Sequence, residues 1–278
     1  MTNLAIDTTT MQPDYTAIKA KQQATWGAGN YGRIGVTLQI TGEQLCETMD
    51  LRAGRSVLDV AAGNGNVTLA AARRFCRVTS TDYVDSLLRQ SEQRALVEGM
   101  SIDYRLADAE NLPFEDGRFD HVVSTFGVMF APDQAKASAE LARVCRSGGS
   151  IGMANWTPDG FIGHLFKTIG RYVPPPQGVN SPAAWGTREF IGRHFGAVAE
   201  KIDIQSRMFN FRYPSAAHWL DLFRTYYGPV HKAFAALPDE KQQSLAEDIL
   251  SLVESFNVAD DGSVLIPSEY LEIVITRK

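Results

Sequence analysis

The run Ser56-Val57-Leu58-Asp59-Val60-Ala61-Ala62-Gly63-Asn64-Gly65-Asn66 ends an apolar strand pattern in a carboxylate and then spaces two glycines as Gly-x-Gly. Val67-Thr68-Leu69-Ala70-Ala71-Ala72-Arg73-Arg74 continues as a helix. Strand, glycine turn and helix in that order open a nucleotide-binding βαβ unit. The glycines let the backbone approach a ligand at φ values a Cβ forbids. Asn64 or Asn66 is available to cap the helix and leave N–H groups free above the turn. A tight strand-to-helix turn with no ligand would read the same way. Two features narrow the ligand. The dinucleotide fingerprint needs a small residue three positions after the second glycine, and here that position is Thr68. Asp59 would also repel a pyrophosphate. A ligand with positive amino and sulfonium groups, such as S-adenosylmethionine, suits this turn better than NAD.

Two further acids stand where such a ligand needs them. Arg77-Val78-Thr79-Ser80-Thr81-Asp82 is a β-branched strand ending in Asp82, about 20 residues past the turn, where an acid accepts the ribose hydroxyls. Asp82 also precedes a helix start at Tyr83-Val84-Asp85, so an N-cap role is equally open to it. Ile102-Asp103-Tyr104-Arg105-Leu106-Ala107-Asp108 reads as a third strand ending in Asp108, followed by a Leu112-Pro113-Phe114 turn. Gly117 to Phe126 gives a fourth strand. A helix from Asp133 to Arg146, closed by Ser147-Gly148-Gly149, leads to a fifth from Ser150 to Trp156. Strands alternating with helices at this spacing predict an α/β fold: a mostly parallel sheet with helices on both faces. Ligands of such sheets bind beyond the carboxyl ends of the strands, where Asp59, Asp82, Asp108 and Thr125 all fall.

On these residues the chain resembles the class I S-adenosylmethionine-dependent methyltransferases. The resemblance is nearest to the branch of ubiquinone/menaquinone-biosynthesis and small-molecule methyltransferases. Val57 to Asn66, the Asp82 strand end, Asp108 to Asp120 and Leu141-Ala142-Arg143-Val144-Cys145-Arg146-Ser147-Gly148-Gly149 carry it, with Ser147 where the family usually has proline. The motifs cover roughly residues 50 to 156. The resemblance implies a Rossmann-like, seven-stranded sheet with an antiparallel seventh strand and a helical cap near the C-terminus. It implies that Gly63 and Gly65 border the methionine moiety, with Asp59 orienting its amino group directly or through water. Asp82 would hold the ribose, with Tyr83 beside it. Asp108 would bind the adenine amino group, the Ala109 N–H would face the ring, and Thr125 and Phe126 would line the floor beneath the sulfonium. A chain of 278 residues then divides into N-terminal helices and lid (1–50), a cofactor core (51–156), a substrate cap including strand six (157–265) and the last strand (266–278), all in one methyltransferase domain.

The flanks bear on the acceptor. Pro13 to Trp26 reads as a helix with Pro13 near its first turn, followed by Gly27-Ala28-Gly29-Asn30-Tyr31-Gly32. That loop is either an ordinary connector or a lid bringing Trp26 or Tyr31 close to the sulfonium, where an aromatic face stabilises a cation by ~0.5–2 kcal/mol. Helices are expected from about Phe161 to Arg171, near Thr187 to Phe195, and from Ser215 to about Phe256 with breaks at Gly228-Pro229 and Leu237-Pro238. Lys201 to Phe211 alternates as strand six, and Tyr270 to Thr276 is strand seven. The aromatics Trp185, Phe209, Trp219, Phe223, Tyr226, Tyr227 and Phe234 suit either a cap over an apolar acceptor or plain helix cores. Among the histidines, His164 falls nearest the expected acceptor and His121 opens strand four. Neither is assigned as a base.

Composition fits a soluble enzyme. The net charge is −5 and no Lys/Arg-rich run occurs, which argues against a nucleic-acid partner. Cys46, Cys76 and Cys145 lack metal-ligand spacing and read as small core residues, as expected in a reducing cytoplasm. No metal site is expected. No stretch reaches the ~18 apolar residues of a membrane span, and the first dozen residues, with Thr8-Thr9-Thr10, read as a disordered tail rather than a signal peptide. Ser124-Thr125-Phe126-Gly127 stands where base-methylating enzymes carry an Asn-Pro-Pro-Tyr-like tetrapeptide. The expectation is therefore O-, C- or N-methylation of a small aromatic or quinone-like acceptor. The alternatives are a macromolecular acceptor or a cofactor-binding protein without catalysis. Homo-oligomerisation stays open.

Overall fold

The computed structural model describes residues 13–278, so the expected N-terminal tail lies outside the described residues. In chain order the elements are α1 (Tyr15–Trp26), α2 (Gly32–Gly35), α3 (Gln39–Thr48), β1 (Ser56–Val60), α4 (Asn66–Arg73), β2 (Arg77–Asp82), α5 (Asp85–Val97), β3 (Asp103–Leu106), β4 (Phe119–Thr125) and α6 (Gln134–Val144). There follow β5 (Cys145–Trp156), α7 (Phe161–Tyr172), α8 (Arg188–Phe195), β6 (Ala199–Tyr213), α9 (Ala216–Tyr226), α10 (Gly228–Ala235), α11 (Asp239–Phe256) and β7 (Val264–Arg277).

The strands form one seven-stranded sheet in the order β3-β2-β1-β4-β5-β7-β6. The first five run parallel, and β7 is antiparallel to both β5 and β6, as the resemblance implied. Successive strand residues point to opposite faces, and both faces are buried. Val57 and Val123 pack with Leu45, Val67 and Ala71 of α3 and α4. Their neighbours Leu58 and Val122 pack with Leu141 of α6 in the larger core on the other face. That core continues between β6–β7 and the helices α7, α9 and α11, where Phe161, Trp219 and Phe223 interlock. The three cysteines are buried and free. No described helix is long and apolar enough to cross a membrane.

Local chemistry moves several expected boundaries. Pro13 precedes α1 instead of entering its first turn, because Asp14 is the N-cap and its carboxylate accepts from the Ala17 N–H. Neither Asn64 nor Asn66 caps α4. Gly65 takes that position at φ 83°, and the Asn66 amide donates to the Gly35 carbonyl instead. β3 stops at Leu106, and Asp108 lies beyond it in a turn bridged to Asn111. The helix expected to reach Arg146 ends at Val144. Ser147-Gly148-Gly149 belongs to β5, at a register shift opposite Phe119 to His121. A Cβ on Gly149 would stand 2.6 Å from the Asp120 carbonyl, so the close strand approach there needs glycine. β6 and β7 are both longer than their alternation suggested, pairing from Ala199–Arg277 to Tyr213–Val264.

Candidate functional site

The carboxyl ends of the parallel strands open into a cleft of about 1100 Å³, measured out to its mouth. Three backbone features shape its floor. Ala61 and Gly63 after β1, and Phe126 after β4, all have positive φ (53°, 56° and 59°). Left-handed conformations at non-glycine residues cost about 1–3 kcal/mol each and gather at ligand sites. The loops meet so closely that a Cβ on Gly127 would lie 1.9 Å from the Ala61 carbonyl. Phe126 is turned flat onto Trp156 at the end of β5, with ring centroids 4.0 Å apart and planes 9° from parallel.

Asp82 joins two strand ends. One carboxylate oxygen accepts from the Gly63 N–H and the other from the Val84 N–H, both at 2.9 Å. It therefore shapes the glycine turn as well as lining the cleft, while Val84 holds the N-cap position of α5. Burial pushes its ionisation up to about 6, against the pull of the backbone N–H groups. Asp108 also lines the cleft, and one of its oxygens accepts from the Glu110 N–H. Its other oxygen meets the Lys19 ammonium at 2.6 Å, and Lys19 also reaches the buried Glu110 at 2.8 Å. Burial works against the Lys19 charge, but these bonds outweigh it and hold the ammonium above its ordinary value.

Lys19 is one of three tethers on α1, a helix with no buried residue of its own. Gln22 donates to the Phe130 carbonyl and Gln23 to the Tyr83 carbonyl. Trp26 ends the helix edge-on to Phe130, Tyr31 and Tyr227, with centroids 4.8, 5.6 and 5.7 Å away. Of the Trp26–Gly32 segment, Trp26 and Tyr31 line the cleft.

Of the residues anticipated from the sequence, Trp26, Tyr31, Gly63, Asp82, Tyr83, Asp108, Ala109, Thr125 and Phe126 line this one cleft. Asp59 and Gly65 do not. Asp59 is fully buried beneath the turn, where it accepts from the Thr68 hydroxyl, and burial lifts it to about 8. Its other carboxylate oxygen is buried without a partner. Gly65 faces α5: a Cβ there would fall 1.9 Å from the Ser91 hydroxyl. Its role is close helix packing. His164 stands against Phe256, away from the cleft.

Lys19, Asn64, Leu38, Phe130, Trp156 and Phe211 also line the cleft and were not anticipated from the sequence. Trp156 could have been found, since it ends a parallel strand on the ligand side. Lys19 had no such signal, because it reaches Asp108 across 89 residues of sequence. The aromatics of the C-terminal half divide. Trp185, Trp219 and Phe234 are core, whereas Phe223 and Tyr227 reach the cleft.

The residues present fit S-adenosylmethionine. The Asn64 amide N–H is buried without a partner at the cleft wall, suited to a carboxylate. A Cβ on Gly63 would meet only the Tyr31 ring, at 3.8 Å, so the turn leaves room for a ligand. Two carboxylates, Asp82 and Asp108, also line the cleft, groups of the kind that accept from hydroxyls and amines. Among the described residues no group of three or more His, Cys, Asp or Glu side chains could hold a metal ion.

Comparison with known proteins agrees with this geometry. Residues 58–153 match the model of a methyltransferase domain. An uncharacterised protein of Mycobacterium bovis is 40% identical over 222 residues, 78% of this chain and 80% of that protein. A ubiquinone/menaquinone biosynthesis C-methyltransferase of Burkholderia mallei is 40% identical over 105 residues, 37% of this chain and 43% of that enzyme. In structure, a putative methyltransferase from Bacillus halodurans superposes with a TM-score of 0.55 at 22% identity, covering 84% of this chain and 96% of that one.

Proposed function

Because the chain belongs to the class I S-adenosylmethionine-dependent methyltransferases, we propose that it methylates a small, apolar, aromatic or quinone-like acceptor held against the aromatic wall of the cleft. The observation that carries this reading is the division of the lining. Asn64, Asp82, Asp108 and Lys19 supply a few polar groups, while Phe126, Phe130, Trp156, Ile162, Phe211 and Phe223 supply apolar surface. Mostly apolar pockets with a few convergent polar groups suit small organic ligands.

When bound, the cofactor supplies an electrophilic methyl group on a cationic sulfur. In this reading Asp82 accepts the ribose hydroxyls, Asp108 and the Ala109 N–H take the adenine edge, and Asn64 takes the carboxylate. Phe126, set by its left-handed backbone and its stack on Trp156, forms the floor under the reacting centre. Trp26 and Tyr31 close the cleft and exclude water, and their faces favour a cation. The chain's contribution to rate is then positioning and desolvation, with no covalent intermediate on the protein.

The Burkholderia relative is, by its name, a quinone-pathway C-methyltransferase, which is consistent with a cyclic acceptor. A macromolecular acceptor fits less well: the net charge is −5, and Lys19, Trp26 and Tyr31 add N-terminal side chains to the lining. The test is a methyl-transfer screen with methyl-labelled cofactor against phenols, quinols, amines, nucleic acid and protein. Label recovered in a small organic-extractable product supports the reading, and label recovered only in polymer overturns it.

A further inference from the structure

Methyl transfer to oxygen, nitrogen or carbon makes different demands on protons, and the cleft wall distinguishes among them. The inference rests on the aromatic wall being the acceptor site. The charged residues lining the cleft are Lys19, Asp82 and Asp108. Lys19 is bonded to Asp108 and Glu110, and Asp82 to the Gly63 and Val84 N–H groups. None of the five histidines lines the cleft. His121 bonds the Ser150 hydroxyl, His231 the Arg224 carbonyl, and His164, His194 and His218 lie against Phe256, Phe190 and Tyr213. Among the described residues, the aromatic part of the lining thus offers no carboxylate or imidazole to take a proton.

It offers two side chains that can donate one. Tyr31 and Tyr227 line the cleft from opposite ends of the sequence, with ring centroids 6.4 Å apart and planes tilted by 40°. Trp26 wedges edge-on against both and fixes their spacing. Tyr104, Tyr172 and Tyr270 bond their hydroxyls to Ser91, Asp248 and Gln44. Among the described residues no protein group partners the hydroxyl of Tyr31 or Tyr227. Burial pushes both phenols far above their ordinary ionisation, with Asp82 adding to the rise at Tyr31 and Tyr31 to that at Tyr227. Both therefore stay protonated. Arg33 lies against Tyr226, its guanidinium 5.8 Å over that ring.

We propose that Tyr31 and Tyr227 grip the acceptor's reacting oxygen as an oxyanion, so that the acceptor is an acidic phenol or hydroxyarene and the reaction an O-methylation. A phenolate oxygen has three lone pairs: two accept from the tyrosine hydroxyls and one attacks. The new O–C bond forms to the methyl carbon while the C–S bond breaks with its electron pair going to sulfur. The products are a neutral methyl ether and a neutral thioether, and no proton moves. Attack by a ring carbon would leave that carbon with a proton for which the wall has no acceptor. A neutral amine has a single lone pair, which a phenol donor would occupy.

The test titrates para-nitrophenol into the full-length protein saturated with sinefungin, whose amine places a positive charge where the sulfonium sits. The absorbance of the bound probe reports its ionisation whatever the affinity of each variant for the cofactor site. Nitrobenzene, which lacks the hydroxyl, serves as the control for an intact apolar wall. The expected result is that wild type binds the phenolate and lowers the probe's pKa. Tyr31→Phe and Tyr227→Phe should each weaken phenolate binding roughly tenfold or more while still binding nitrobenzene, the scale of a hydrogen bond to a charged group. Binding of the probe as neutral phenol, or an unchanged pKa shift in both Phe variants, overturns the oxyanion grip and leaves the apolar acceptor site standing. Failure of both para-nitrophenol and nitrobenzene to bind overturns the acceptor site itself and this inference with it. Loss of nitrobenzene binding in the Phe variants alone would assign the tyrosines a packing role and overturn the grip.

Discussion

Replacing Asp82 by alanine tests the polar side of the cleft, and the structure fixes what else must change. The carboxylate accepts from the Gly63 and Val84 N–H groups, so alanine leaves two donors without partners, at about 1–3 kcal/mol each. It also removes an acid whose charged form, even with those bonds, is disfavoured by about 3 kcal/mol, its ionisation being lifted from 3.8 to about 6 by burial. The two effects offset to within a few kcal/mol, and the variant should remain folded. Cofactor binding has no such offset. Losing charge-assisted bonds to the ribose should weaken it by ~1.5–3 kcal/mol, roughly 10- to 150-fold. The pH profile separates this from a general disturbance of the turn. The charge-assisted bonds to the ribose need the ionised carboxylate, so wild-type affinity should hold steady above about pH 6 and fall below it, levelling off toward the affinity of the variant. The variant should lack that fall. Calorimetric titration of S-adenosylhomocysteine across this range reads both. A flat wild-type profile, or equal affinities for the two proteins, refutes the reasoning.

The same physics gives four further expectations. Asp59 and Asp82 are lifted to about 8 and about 6, so between about pH 4 and 8 the folded state holds protons that the unfolded chain has released. Stability from these groups is present at low pH and lost as pH rises through 6 and 8, so thermal melts of the ligand-free protein should show a falling midpoint over that window, and a rising one contradicts it. Gly63→Val should keep the fold at a cost of about 1–3 kcal/mol for its positive φ yet abolish cofactor binding, whereas Gly65→Ala drives a methyl into Ser91 and should cost melting temperature first; the reverse order would mean that the wrong glycine borders the ligand. Lys19→Ala should speed amide exchange across α1 while leaving the sheet unchanged, because that helix buries no residue and is held by tethers; unaltered exchange there counts against the strap. Trp26→Ala should lower turnover more than cofactor affinity, since the indole spaces Tyr31 and Tyr227; full activity on an identified acceptor would reduce it to packing.

What the sequence made legible follows from how far apart the cooperating residues lie. β1, its glycine turn and α4 are contiguous, and period, turn chemistry and helix propensity all point the same way there, so the fold class and the polar wall could be read directly. Asp82 and Asp108 were found because strand ends in a parallel sheet share one edge. Asp59 shows where this reasoning runs out. Position at a strand end placed it at the ligand edge, but the residue is buried under the turn with one oxygen on Thr68, and no local pattern distinguishes the two orientations. The aromatic wall was half legible for the same reason. Phe223 and Trp219 sit on one helix with parallel rings 3.9 Å apart, yet only Phe223 reaches the cleft. Which of them does so depends on the packing of α9 against β6 and α7, a long-range matter.

The central claim is that one cleft holds the cofactor along Asn64, Asp82 and Asp108 and a small acceptor against Phe126, Trp156 and Tyr227. A crystal structure of the ternary complex with S-adenosylhomocysteine and a phenol that the enzyme methylates tests it most directly. The account predicts the ribose on Asp82, the adenine edge at Asp108, and the phenol ring among those aromatics with its oxygen facing the sulfur. A phenol bound outside the aromatic wall, or adenosine oriented away from Asp82, would contradict it.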